Sequence, residues 1–99
     1  MMIKAKDLVG TSFPPEEGSR LATVLLDRTD VTWSKLTIDL SELPSSLLIS
    51  AFFNAFLQAV FEKKPELLPT AKSIDWQLKF DFQKKNVQSW MDHFTPFTG

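Results

Sequence analysis

The stretch LTIDLSELPSSLLISAFFNAFLQAVFEKK, residues 36–64, holds a strand, a loop and a helix in one unbroken run. Leu36, Ile38 and Leu40 alternate with Thr37 and Asp39, which puts the three aliphatic side chains on one face of a short strand. Ser41 to Ser46 contains the proline brake of a loop, and Ser45 and Ser46 are placed to cap a helix that begins just after them. From about Leu47 to Lys63 the spacing is helical. Its polar residues Ser50, Asn54, Gln58 and Glu62 recur every fourth position, so they form one narrow stripe on an otherwise apolar helix.

Toward the N-terminus, residues 2–9 (MIKAKDLV) alternate loosely and stop at Gly10, as a first strand would. Thr11 to Gly18 reads as a helix entrance, with prolines tolerated in the first turn and Glu16 and Glu17 where the helix dipole favours negative charge. Leu21, Ala22, Val24, Leu25 and Leu26 continue that helix to Asp27. Beyond Lys64, Pro65 and Pro69 restrict the chain to a short turn. Ile74, Trp76, Leu78 and Phe80 then alternate with Asp75, Gln77, Lys79 and Asp81, the pattern of a strand near a sheet edge with one face buried. Val87, Trp90, Met91 and Phe94 mark a last helix over about Gln83–Phe94, and residues 95–99 form a tail expected to fray.

The order β-α-β-α-β-α predicts an α/β fold: one domain over residues 1–99, with a small, largely parallel sheet and covering helices. The length suits a single core. Eleven basic residues stand against twelve acidic ones without clustering, which disfavours nucleic acid as a partner. Cysteine is absent, so disulfides and thiolate metal sites are excluded. No apolar run approaches the roughly 20 residues of a bilayer span, and the start lacks the apolar core of a secretory signal, so a cytoplasmic location without membrane association is expected.

Catalytic signatures are sparse. The single histidine, His93, lacks convergent ligands, three glycines cannot build a phosphate-cradling loop, and no serine lies in a Gly-x-Ser-x-Gly elbow. No cofactor is implied. Asp39 lies near the C-terminal end of its strand, where it either marks a ligand crevice of the open α/β type or hydrogen-bonds the following loop or caps the next helix.

The same residues carry a family resemblance. Phe13, Gly18 and Leu21, then Leu36, Ile38, Asp39 and Leu40, then Ser50, Ala51, Phe52 and Asn54 resemble the pattern of a bacterial STAS-like domain family, similar in turn to the STAS domains of anti-sigma-factor antagonists. The resemblance implies helices packed on a sheet and a non-enzymatic regulatory or adaptor role exercised by docking onto a protein, in the antagonists a histidine-kinase-like ATPase. It also brings Ser50 nearest to the serine that such a partner phosphorylates, although the Asp-Ser-Ser-Gly signature is absent here. The residues expected at a contact or switch are Asp39, Ser45, Ser46, Ser50, Phe53 and Asn54. Two readings of the greasy helix remain open: its surplus apolar surface meets a partner or a second copy, or neighbouring elements bury it. A small ligand-binding or enzymatic domain, with Asp39, Ser45, Ser46 and Ser50 around a pocket at the strand ends, is the alternative.

Overall fold

Hydrophobic alternation sets the strands. In the computed structural model, which describes residues 1–97, strands β1 (Met2–Lys4), β2 (Thr37–Asp39) and β3 (Asp75–Gln77) lie side by side in that order, all parallel. Ile3, Ile38 and Trp76 stand in register and are buried, while the flanking rows Met2–Thr37–Asp75 and Lys4–Asp39–Gln77 point to the opposite face. The chain is an α/β protein with β3 at a sheet edge, as its alternation predicts.

The helices are α1 (Pro14–Asp27), α2 (Ser50–Lys63), the one-turn α3 (Leu68–Ala71) and α4 (Asp81–His93). Successive crossovers of one hand, stepping in one direction across a sheet, deliver their helices to the same face. So they do here, and the fold has two layers rather than three. This arrangement answers why α2 is apolar nearly all round. Its Phe53 and Phe56 rings meet Trp76 on the sheet edge-on, each at 5.2 Å. Phe53 also packs on Trp90 of α4 at 5.7 Å, and Phe56 faces Trp33 at 6.3 Å. On the α1 side, Gly18 lies directly against the carbonyl of Phe52. Phe52, Phe53, Phe56, Leu57 and Val60 are all fully buried. The polar stripe is the wet edge: Asn54 and Glu62 are exposed, and Ser50 and Gln58 are half-buried.

Several boundaries differ from expectation. The expected first strand stops at Lys4, and Ala5–Asp7 forms a 3-10 turn with Ala5 buried. Helix α2 begins at Ser50 rather than Leu47, because Leu47 and Leu48 turn inward to the core and Ile49 is extended. The expected tail of residues 95–99 is placed as far as Phe97; Thr98 and Gly99 lie outside the described residues.

Candidate functional site

In a parallel sheet with helical crossovers, each helix that follows a strand begins near that strand's C-terminal end. Here α1, α2 and α4 all start with a large apolar residue at the N-cap, namely Phe13, Ile49 and Phe80, and in none does a side chain cap the first turn. These residues are 60, 43 and 43% exposed, and Phe82 in the first turn of α4 is 71% exposed. Phe80 and Phe82 stack on each other with centroids 5.6 Å apart, and the Lys79 ammonium lies 5.6 Å from the Phe80 ring. The contact of Gly18 with Phe52 sets the starts of α1 and α2 side by side. A 3.4 Å hydrogen bond from Gln83 Nε2 to Ser45 Oγ ties the start of α4 to the loop before α2. The result is an aromatic and aliphatic rim at one end of the molecule. Exposed charges of both signs lie beside it in sequence: Glu16 in the first turn of α1, and Lys79 and Asp81 on either side of Phe80.

The rim is unfavourable for folding. An N-cap Ser, Thr, Asp or Asn would hold a free backbone N–H and stabilise each helix by about 0.5–2 kcal/mol over an apolar residue.

The expected site residues are only partly gathered here. Asp39 Oδ1 accepts hydrogen bonds from Ser41 N (2.9 Å) and Ser41 Oγ (2.6 Å), so it fastens the loop after β2. The Ser41 hydroxyl, the Ser41 N–H and the nearby Lys4 ammonium together hold the Asp39 carboxyl below its ordinary value of 3.8. Ser45 and Ser46 are exposed in a turn closed by Leu47 N–H to Pro44 O (3.0 Å) and Leu48 N–H to Ser45 O (3.1 Å). They do not cap α2. Ser50 is its first residue. Phe53, expected at a contact surface, is a correction: wedged among Phe52, Trp76 and Trp90, it has no exposed area for a partner to touch.

Asn54 lies elsewhere, in a groove of about 630 Å³ between α2 and α4. Ala51 and Ala55 contribute small side chains to its lining, and Asn54, Gln58, Ser89, Trp90 and His93 contribute larger ones. His93 Nδ1 is 2.8 Å from the Ser89 carbonyl, which can only accept, so this contact is a hydrogen bond when Nδ1 carries a proton. Two smaller clefts, of about 180 and 200 Å³, flank the Lys84–Asp75 ion pair (3.5 Å) on the outer side of β3. None of the three clefts is lined by Asp39, Ser45, Ser46 or Ser50.

One charged residue is placed unexpectedly. Glu17 is fully buried with its carboxylate against Gly10, and its only ionic partner among the described residues is Arg20, Nη1 to Oε1 at 3.2 Å. The signal was present in the spacing: Glu17, Leu21 and Leu25 recur at four-residue intervals and share the buried face. Among the described residues, no group of three or more His, Cys, Asp or Glu side chains could hold a metal ion, and no helix is long and apolar enough to cross a membrane. Comparison with family models, with curated proteins and with solved structures yields no match to this chain.

Proposed function

We propose that this chain is a non-catalytic regulatory or adaptor module that docks onto a protein partner through the rim formed by Phe13, Ile49, Phe80 and Phe82. The observation that carries the reading is the coincidence of exposed apolar N-caps on three helices at one end of the fold. Folding alone does not explain them, since polar residues at those positions would stabilise the helices. Contact with another surface does. The mixed charges around the rim favour a protein over a lipid or nucleic acid surface, either of which would call for a predominantly basic border.

The narrower form, with a histidine-kinase-like ATPase as partner, follows from the family resemblance alone. Ser50 directly follows Ile49 of the rim, so a phosphate there would sit in the first turn of α2 and change the docking surface. The competing pocket of Asp39, Ser45, Ser46 and Ser50 has less behind it, because Asp39 is committed to Ser41.

Photocrosslinking in the native host tests the proposal, with p-benzoylphenylalanine replacing Phe13, Phe82 or, as a control beyond the far end of α2, Glu66. The rim positions are expected to capture one common protein that the control does not. The purified partner should then bind the Phe82→Ser variant at least tenfold more weakly. Equal capture from Glu66, or an affinity indifferent to Phe13→Ser and Phe82→Ser, rejects the rim as the docking surface.

A further inference from the structure

We propose that residues 10–12 form a lid over the carboxylate of Glu17, shut in this structure and poised to lift away from α1. Glu17 is fully buried, yet among the described residues neither of its oxygens has a hydrogen-bond partner. Its ion pair reaches outward to Arg20 Nη1, 3.2 Å from Oε1, and the Arg20 side chain is itself 49% exposed. A buried carboxylate with one half-exposed partner loses more in hydration than the pairing returns. Opening its cover lets water reach the oxygens, so the charge favours the lifted state.

The cover is Gly10. A Cβ placed there would lie 2.7 Å from Glu17 Oε2 and 3.9 Å from Arg20 Nη1, so the segment closes onto the ion pair only because residue 10 has no side chain. Little else holds it down. Thr11 and Ser12 are exposed, Gly10 is half-buried, and among the described residues no hydrogen bond ties any of the three to the rest of the chain. Both ends of the segment are anchored: Val9 is buried with its N–H on the Ala5 carbonyl at 3.1 Å, and Pro14 and Pro15 begin α1. A short span with fixed ends, exposed side chains and no hydrogen bonds opens without disturbing the core.

Lifting changes the rim, and in this respect the proposal rests on the docking reading. Phe13, the N-cap of α1, lies one turn before Glu17, and its carbonyl accepts the Glu17 N–H at 3.0 Å. With the lid down, the rim is apolar at Phe13. With the lid up, a hydrated carboxylate stands beside the ring, where a basic side chain of the partner would meet it. The rim thus has two states that differ by one negative charge.

The test is carboxyl footprinting of the folded full chain with a carbodiimide and glycine ethyl ester, read residue by residue by mass spectrometry, with the exposed Glu16 as internal reference. Glu17 is expected to react at no less than about one-hundredth of the Glu16 rate, with less than a threefold change between 0 and 2 M urea, because lifting the lid exposes little surface. Reaction through global unfolding would instead speed up about thirtyfold or more over that range. Gly10→Ala, whose methyl group has no room beside the shut carboxylate, should raise the Glu17 rate at least tenfold. A Glu17 that stays unmodified while Glu16 reacts to completion, a thirtyfold acceleration by urea, or a rate indifferent to Gly10→Ala overturns the proposal. No docking partner enters the assay, so its failure leaves the rim reading standing, and the converse holds.

Discussion

Asp39 and Gly18 each do at the scale of one residue what their types alone would not reveal. Asp39 closes the strand by accepting two hydrogen bonds from Ser41, which keeps its carboxyl more acidic than usual. A group whose folded pKa is depressed stabilises the fold above its unfolded pKa, and that contribution is lost as pH falls through the folded value. Chemical denaturation across pH should therefore show a stability that declines below about pH 4, and Asp39→Asn should make the decline shallower. An acid limb of unchanged slope would show that Asp39 is not coupled to folding. The exposed Arg28–Asp30 pair, which also holds the Asp30 carboxyl low, leaves a residual slope in the variant.

Gly18 shows the opposite balance. Replacing a mid-helix glycine by alanine ordinarily gains about 1 kcal/mol of helix propensity. Here the added Cβ would strike the backbone carbonyl of Phe52, which no rotamer change can relieve. Gly18→Ala is expected to lose about 2 kcal/mol or more in denaturant unfolding, overpacking against backbone being the larger effect. A gain in stability would mean that α1 and α2 are farther apart. Sequence offered Asp39 as a crevice residue, a loop staple or a helix cap, and only the position of Ser41 shows that it staples the loop. The close helix approach at Gly18 is a tertiary fact that a lone glycine does not announce.

At the scale of elements, alternation was the readable signal: Ile74 and Trp76 are buried, while Asp75 and Gln77 between and beside them are exposed. Element lengths were less readable. The pattern continues through Phe80, yet β3 ends at Gln77. Its partner β2 stops at Asp39, and the hydrogen bond from Leu40 N–H to Gln77 O is the last one available (2.7 Å). A strand needs a neighbour, and side-chain periodicity does not show where the neighbour ends. Capping misled in a similar way. Ser45 and Ser46 had the right chemistry for an N-cap, but Leu47 and Leu48 are drawn into the core and the helix start moves to an uncapped Ile49. Helix α2 itself was legible as apolar. Its role followed only from knowing that the sheet, α1 and α4 all reach it.

On the scale of the molecule, the unusual property is a parallel sheet whose described helices all lie on one face. Such sheets are ordinarily covered on both sides, and their strands are correspondingly apolar throughout. Three-residue strands whose outer face carries Lys4, Thr37, Asp39, Asp75 and Gln77, with Met2 the one apolar residue beside them, make the single cover sufficient. Glu42 binds that side through Lys4 (3.8 Å) and Lys6 (3.3 Å). The one-sided strands pointed to this, but which face the helices occupy is set by strand order, and periodicity does not encode it. With all helices on one face, the buried aromatic residues serve the core, and the four exposed apolar residues of the rim serve something else.

Denaturant unfolding of two variants separates those two roles. One carries Phe13→Ser, Ile49→Ser, Phe80→Ser and Phe82→Ser together; the other carries Phe56→Ala. Phe56→Ala is expected to lose about 3–5 kcal/mol, as a fully buried aromatic should, while the fourfold variant should unfold at or above the wild-type denaturant midpoint because serine caps replace apolar ones. A fourfold variant destabilised as severely as Phe56→Ala would contradict this division, showing that the rim belongs to the core.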